Sequence, residues 1–340
     1  MATQISIDLG SYKTVISEGI RIVLEQPSIV TVESESYNPV YFGDMAKSSL
    51  GRTPDALTCV RPIEHGVIAD YDITLAMLSE YIKRAFGSKI IRPSVMACLP
   101  TGLTELQHHS LADVIVDSGG RNVTVIESPL AAAIGLGIDF NSPKGSMVVD
   151  IGAGTTDIAT ISLGGIVQCG SYNVASFDFD DAIVKYIRRA YNIAIGELTA
   201  EQIKKQIGSV VKRDVEITMI AKGRNLRTGL PEAFEITSRE IYDNVYDTAL
   251  QICNSVRKVL ERTDPDIVAD IMDSGIYLTG GGSLINGMVA FMEEFIGTKI
   301  ILATDPAHSV SKGMVIAQKN PKLLKNIDYQ LRSIKELIIE

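Results

Sequence analysis

Two copies of one short device limit what this 340-residue chain can fold into. In the first, the apolar strand Ile5-Ser6-Ile7 runs into Asp8, and Leu9-Gly10-Ser11-Tyr12-Lys13 turns the chain into a second strand from Thr14. Far downstream, Met147-Val148-Val149 runs into Asp150, and Ile151-Gly152-Ala153-Gly154-Thr155-Thr156 leads into the alternating strand Ile158-Ala159-Thr160-Ile161-Ser162. Glycines at such a tip permit positive φ and close backbone approach. Successive backbone N–H groups and the two threonine hydroxyls can then cradle an anion, while an aspartate at the strand end holds a magnesium ion through water. One glycine-rich tip is more often simply a turn. Two of them indicate a duplicated domain whose tips face each other across a cleft, with room for a triphosphate and Mg2+. A third turn, Leu278-Thr279-Gly280-Gly281-Gly282-Ser283, precedes a helix-like segment from Leu284 to Phe295; a helix N-terminus behind glycines attracts anions or lets a planar base approach the backbone.

The order of these three loops resembles the actin, heat-shock chaperone and sugar-kinase superfamily, and the text between them resembles the MreB family of bacterial actins. The matching segments include Leu50-Gly51-Arg52-Thr53-Pro54, Arg61-Pro62, Gly66-Val67-Ile68-Ala69-Asp70, Gly145 through Gly152 and Ile161 through Val167. They continue with Tyr186-Ile187-Arg188-Arg189, Ile195-Gly196-Glu197, Lys222-Gly223-Arg224, Thr228-Gly229-Leu230-Pro231 and the triple glycine, so the likeness runs from Ile5 to about Lys319. It implies an α/β fold of actin-like, duplicated ribonuclease-H-like domains, two lobes with a nucleotide cleft between them. The implied division is a first core domain of residues 1–30, 62–138 and 312–340 with a small insertion domain of 31–61, and a second core domain of 139–175 and 236–311 with a small domain of 176–235.

Composition sets bounds on this reading. A chain of 340 residues can bury two cores of ordinary domain size. With 32 lysines and arginines against 41 acids the net charge is −9, which argues against a general nucleic-acid surface. Cys59, Cys98, Cys169 and Cys253 lack metal-ligand spacing and read as reduced core residues of a cytosolic protein. The sequence opens in a strand without a signal peptide and has no apolar run of membrane-spanning length, so membrane contact is expected to be peripheral, on the inner face of the cell membrane.

In chain order, Thr31 to about Arg61 reads as irregular and polar with a short helical piece at Met45–Leu50. Helices are expected at Asp72–Phe86, Thr104–Ser118, Pro129–Ile138, Asp178–Tyr191, Leu198–Ile207 and from Ser238 to about Arg262, with strands at Ser94–Leu99 and Asn122–Ile126. Thr199 with Gln202 three places on forms a capping box. Val215–Ala221 and Ala233–Ile236 bracket a hairpin connection from Lys222 to Gly229.

By resemblance, Gly10, Ser11, Tyr12 and Lys13 form the first phosphate loop, and Gly152, Ala153, Gly154, Thr155 and Thr156 the second. Asp8 and Asp150 organise a hydrated Mg2+, and Gly281, Gly282 and Ser283 back the adenosine. Glu201, Gln202 and Lys204 fall where a family Glu-x-x-Lys pattern contacts ribose and adenine; without the family, Glu201 and Lys204 read as a surface salt bridge. The implied ligands are ATP or ADP with Mg2+.

Hydrolysis is where the sequence departs from the family. The family places a water-positioning glutamate before the proline of the connecting helix; here the text is Glu127-Ser128-Pro129. Ser128 can hydrogen-bond water but has no carboxylate to accept its proton, a loss of order 10²–10⁴ in rate. Glu127 is adjacent, yet one step along a helix start turns a side chain by about 100°. Ala153 replaces a loop glycine, Lys13 a family asparagine, and Ser176-Phe177 a Gly-Asp pair. Lys13 adds charge for the phosphates. Weak ATPase activity is expected, with Thr155 beside Ser128, Glu127 and Asp150 as the residues of the hydrolytic step.

Two features bear on surfaces. The segment from Phe86 to Arg92 corresponds to a hydrophobic membrane-binding loop of the resembled family: Phe86, with Ile90 and Ile91 between Lys89 and Arg92, would suit an anionic surface, or Ile90 and Ile91 simply begin the next strand. Leu324, Ile327, Leu331, Ile334 and Ile338 form a heptad-like stripe, read as a helix packed on the first domain or as a membrane or partner-docking helix. The resemblance implies a homopolymer of protofilaments, alone or with related paralogues, supporting cell shape or motility at the membrane. A small-molecule kinase or a chaperone-type ATPase is the alternative on the same fold; the first needs an acceptor-binding aspartate beyond Asp8 and Asp150, the second a separate substrate domain.

Overall fold

The structure, a computed structural model, describes residues 3–87, 92–139, 141–324 and 331–333. Its two large sheets have one topology. In the first, strand Gln4–Leu9 pairs antiparallel with Lys13–Glu18, which pairs antiparallel with Arg21–Pro27; on its other side it runs parallel to Ser94–Leu99, and that strand parallel to Asn122–Glu127. In the second, Ser146–Ile151 takes the place of Gln4–Leu9: Thr156–Ser162 and Gly165–Tyr172 continue it antiparallel, and Ile276–Thr279 and Ile300–Leu302 extend it in parallel. The two Asp-x-Gly tips therefore sit at equivalent corners, where the central strand of each sheet ends. In open α/β sheets, ligands bind at this edge.

Burial follows the sequence pattern. Central strands such as Ser146–Ile151 are almost wholly buried because helices cover both faces. One core lies under each sheet, and a third joins them: Met96, Cys98 and Ile126 from the first sheet meet Val148, Ala159 and Ile161 from the second around the helices Ser128–Leu136 and Ser309–Lys319. Those helices touch through glycines. A Cβ on Gly313 would lie 1.6 Å from the Ala131 carbonyl oxygen, and one on Gly135 2.0 Å from that of Ser309. No side chain fits at either contact.

Local signals place most helices within a residue or two. Thr104 and Gln107 form a reciprocal cap for Glu105–Asp117, Thr237 and Glu240 one for Ser238–Leu260, and the Asp70 carboxylate caps Tyr71–Phe86. The expected box at Thr199 and Gln202 is not formed. That helix spans Glu197–Ile207 with Gly196 at its N-cap, so Thr199 is already inside the first turn. The stretch read as irregular is ordered: Val30–Glu33 pairs with both Pro39–Phe42 and Leu57–Val60, beside the helix Asp44–Ser49. All three strands are short; Val30–Val32 is continuously buried and its two partners are largely exposed or half-buried, so no alternation marks them. The later hairpin is tighter than expected, because Thr218–Asn225 and Pro231–Thr237 extend into its connection.

The tail differs from the helical stripe. Leu331–Ser333 is a strand pairing antiparallel with Asn122–Thr124 at the edge of the first sheet. Unpaired edge groups of Asn122–Glu127 supply backbone partners that a short apolar stripe cannot. The segment does return to the first lobe, but as a strand. Ile327, Ile334, Ile338, Ile90 and Ile91 lie outside the described residues. Phe86, at the end of its helix, is half-buried and packs on the first core. All four cysteines are free, with Cys98 and Cys253 buried and Cys59 and Cys169 half-buried. Among the described residues no helix is long and apolar enough to cross a membrane.

Candidate functional site: a cleft between two facing hairpin tips

Both tips close in one way. The Gly10 N–H donates to the Lys13 carbonyl at 3.1 Å, and the Gly152 N–H to the Thr155 carbonyl at 2.8 Å. Neither glycine has positive φ. A Cβ on Gly10 would instead stand 3.0 Å from the Lys13 oxygen, and one on Gly152 3.1 Å from the Thr155 oxygen, so glycine supplies space here rather than handedness. The tips meet: a Cβ on Gly154 would lie 3.0 Å from Ser11 Oγ, and Gly66 N–H donates to that same Oγ at 3.0 Å. His65 Nδ1 lies 3.0 Å from the Gly154 carbonyl.

The third turn lies directly on the second tip. At Gly280, with φ +85°, a Cβ would fall 2.2 Å from the Ile151 carbonyl and 2.3 Å from Asp150 Oδ1. Left-handed backbone and close approach both require glycine there. Behind it Gly281–Leu284 forms only a 3-10 turn, and the α-helix starts at Met288 after Gly287, which has φ 83°. The expected helix N-terminus directly behind the glycines is thus displaced by one turn, because glycines inside a first helical turn cost the most backbone entropy of any residue, whereas Gly287 serves as the N-cap.

The three turns enclose a cleft of about 640 Å³. Of the residues singled out from sequence, Asp8, Gly10, Ser11, Tyr12, Lys13, Ser128, Asp150, Gly152, Ala153, Gly154, Thr155, Glu201, Lys204, Gly281 and Gly282 line it. Four do not. Thr156 turns its hydroxyl to the Val174 carbonyl at 2.6 Å, and Ser283 turns its own to the Gly280 carbonyl at 2.6 Å. Gln202 is exposed on the outer side of its helix. Glu127 forms the N-cap position before Ser128, outside the lining, where burial pushes its carboxyl up.

Three carboxylates meet in the floor, Asp150 and Asp157 buried and Asp8 half-buried. Burial raises Asp8; burial, then the charges of Asp157 and Asp8, raise Asp150 well above the ordinary range. Asp157, which sequence reading did not assign, is also raised by burial; it accepts the Thr155 hydroxyl at 2.8 Å, and its Oδ1 is buried without a partner. Asp8 and Asp150 could hold a divalent cation here. Among the described residues no cluster of three or more acidic, histidine or cysteine side chains is set to ligate a metal directly. Ser128 is buried, and its hydroxyl donates to the Leu99 carbonyl at 3.0 Å.

The cations are engaged by protein groups. Lys13 Nζ reaches Glu25 at 2.5 Å and lies 3.1 Å from His308 Nε2, whose Nδ1 is 2.9 Å from Asp305. Lys204 donates to Asp180 at 2.7 Å and to Ser176, and burial pushes both partners of that pair toward neutrality, Asp180 to about 6. Glu201 and Lys204 are not paired with each other. Glu201 instead accepts from Tyr12 at 2.7 Å, Lys205 at 2.6 Å and Lys47 at 3.2 Å. Partial burial opposes its charge, but Lys205, Tyr12 and Lys47 outweigh that and hold it down at about 2. Asp157, Asp180, Glu25, His308 and Lys47 were missed from sequence; Lys47 meets Tyr12 and Glu201, and His308 meets Lys13, only across long stretches of chain.

Comparison with known proteins identifies this arrangement. A family described as MreB/Mbl protein matches residues 2–326. The cell shape-determining protein Mbl of Bacillus cereus is 38% identical over 329 residues, 96% of this chain and 97% of that protein. The cell shape-determining protein MreB of Escherichia coli is 39% identical over 319 residues, 92% of each. Among solved structures, MreB5 of Spiroplasma citri bound to AMPPNP superposes with a TM-score of 0.90 at 36% identity, covering 96% of this chain and 98% of that one. The same protein bound to ADP superposes equally well, with a TM-score of 0.90 at 35% identity. With its two-lobed actin-like fold, its facing hairpin tips and this likeness over nearly its whole length, the chain belongs to the MreB/Mbl protein family.

Proposed function

We propose that this chain is an ATP-binding, actin-like filament protein that supports cell shape or motility, with slow hydrolysis. The observation that carries the reading is the apposition of the two tips, Gly154 against Ser11, over a cleft closed by the third glycine turn. Solved relatives bound to AMPPNP and ADP support nucleotide as the occupant. The relatives named for cell shape support the cellular role and give no support to a kinase or chaperone.

In this reading the backbone N–H groups of the two tips and the Ser11 and Thr155 hydroxyls hold the phosphates. Lys13 lends charge beside them. Asp8 and Asp150 would hold Mg2+ through water, and the bound ion would neutralise phosphate charge. Gly281 and Gly282 leave room for the base. At the hydrolytic position the Ser128 proton is directed to Leu99, and Glu127 stands outside the lining, so Thr155, whose hydroxyl donates to Asp157, is left to orient water. The domain boundaries given above and peripheral attachment to the inner face of the cell membrane belong to the same proposal.

Sedimentation with Mg-ATP, Mg-ADP or no nucleotide tests it, with phosphate release followed in parallel. Pelleting that depends on nucleotide is expected. Failure to pellet under every condition would remove the filament reading, and a phosphorylated small-molecule product would favour the kinase.

A further inference from the structure

Lys13, at the end of the first tip, has an ammonium shared by two neighbours. It donates to Glu25 Oε1 at 2.5 Å, and its Nζ stands 3.1 Å from His308 Nε2. That same Nε2 lies 3.2 Å from Glu25 Oε2. The other ring nitrogen, Nδ1, lies 2.9 Å from Asp305, which also accepts from Lys312 at 2.6 Å. The three corners come from different elements: Lys13 opens the strand Lys13–Glu18, Glu25 lies on Arg21–Pro27, and His308 ends the turn Pro306–His308 behind the last strand of the second sheet. That turn is fixed to the third glycine loop, since the Pro306 carbonyl accepts from the Gly280 N–H at 3.0 Å and from the Thr279 hydroxyl at 3.1 Å. Lys13, Glu25, Pro306 and Ala307 all line the main cleft.

One imidazole nitrogen cannot serve both neighbours in a single protonation state. With its proton on Nδ1, donated to Asp305, the neutral ring presents Nε2 as an acceptor, which suits the Lys13 ammonium and opposes the Glu25 oxygen. The imidazolium reverses both: Nε2–H donates to Glu25, and the ring repels Lys13. The charged groups around the ring are Lys13, Glu25, Asp305 and, through Asp305, Lys312. Asp8 makes its bond to Cys98 instead; burial raises it, and that bond and then the charges of Lys13 and His308 act the other way. Were Lys13 drawn off toward the cleft, the ring would face two carboxylates with only Lys312 to offset them, and its charged form would be favoured.

Resting on the nucleotide reading above, we propose that His308 is a positioning residue for Lys13: it releases the ammonium to the terminal phosphate of a bound triphosphate, takes Glu25 in its place, and gains a proton as it does so. The proton comes from solvent and adds to Nε2, while the Lys13 ammonium keeps its own. Binding and protonation therefore favour each other, and ATP binds more tightly as pH falls through the range in which the ring titrates. ADP lacks the terminal phosphate, leaves Lys13 with Glu25, and takes up little.

Calorimetry of Mg-ATP and Mg-ADP binding to the full chain at neutral pH, run in buffers of different ionisation enthalpy, counts the protons taken up. For the wild type with Mg-ATP, uptake of about 0.3–0.8 proton is expected, with affinity rising about 3- to 10-fold from pH 8 to pH 6.5. His308→Gln, whose amide can accept from Lys13 but does not titrate, should take up less than about 0.1 proton and show a flat pH profile. Lys13→Met leaves the ring with Glu25 whether or not nucleotide is bound, so it should lose the uptake as well. A merely structural His308 would change affinity without moving the proton count. Binding of ATP by the wild type without proton uptake would overturn the proposal, as would uptake kept by either folded variant. A wild type that binds no nucleotide at any pH would overturn the nucleotide reading itself, and this proposal with it.

Discussion

Ser128→Glu restores a carboxylate at the start of the helix Ser128–Leu136, and the structure sets how much that can achieve. A well-placed general base contributes about 10²–10⁴ in rate, or about 2.7–5.5 kcal/mol of barrier. The new carboxyl would join Asp8, Asp150 and Asp157, whose burial already raises each of them, so it too would be raised and less ionised at neutral pH. We therefore expect the lower end, about 10² in phosphate release at saturating Mg-ATP, growing as pH rises through the raised value. The substitution also removes the Ser128 donor from the Leu99 carbonyl, about 1 kcal/mol, and crowds a site only 9% exposed, about 1–3 kcal/mol more. Thermal unfolding should report that loss. Ser128→Gln is the control, since an amide can orient water but cannot take its proton. Equal stimulation by Glu and Gln would show that orientation alone was missing. Wild-type turnover already as fast as the Glu variant would refute the argument and place the water on Asp157.

Asp150→Asn should stabilise the nucleotide-free protein. A folded-state carboxyl raised above its unfolded value contributes stability below the unfolded value and loses it as pH rises through the folded one; at neutral pH the buried charge is therefore unfavourable. A gain of about 1–3 kcal/mol at pH 7.5, shrinking toward pH 5, is expected in denaturant unfolding, along with loss of any Mg-ATP-dependent stabilisation. Gly313→Ala should cost more than about 3 kcal/mol, because its Cβ would lie 1.6 Å from the Ala131 oxygen, whereas Gly165→Ala, with nothing within 4 Å, should stay within about 0.5 kcal/mol by the same measurement. Lys13→Met should weaken ATP more than ADP, lowering the ratio of their affinities about 10-fold by calorimetry; an unchanged ratio would mean that Glu25 and His308 keep the ammonium from the phosphates.

What could be read from sequence is what closes locally. Gly10 to Lys13 and Gly152 to Thr155 are bonds across three residues, and the strands before them bury every side chain the periodicity suggests, so both tips were legible. The Thr104 and Thr237 caps were equally local, but Thr199 fitted the same pattern and is not a cap, because the chain enters its helix from Gly196. The tail shows the limit of periodicity. Its apolar spacing suits a helix, yet the edge strand Asn122–Glu127, far away in sequence, recruits Leu331–Ser333 as a strand. Lys47, Glu25 and His308 gave no signal at all, since charged residues on a short helix, a strand and a loop look like solvated surface until folding brings them to Tyr12 and Lys13.

The distribution of charge in the cleft separates what folding needs from what function needs. Lys205, Tyr12 and Lys47 hold Glu201 in its charged form against its partial burial. The floor does the reverse: Asp8, Asp150 and Asp157 lie together, and desolvation raises each of them. No packing argument accounts for three such groups, because apolar residues of similar volume would make a more stable floor. A divalent cation accompanying a polyphosphate would place positive charge beside these carboxylates. On the nucleotide proposal the floor is unfavourable in the empty protein, and binding of the cation with the nucleotide would offset that cost only in the arrangement that binds them.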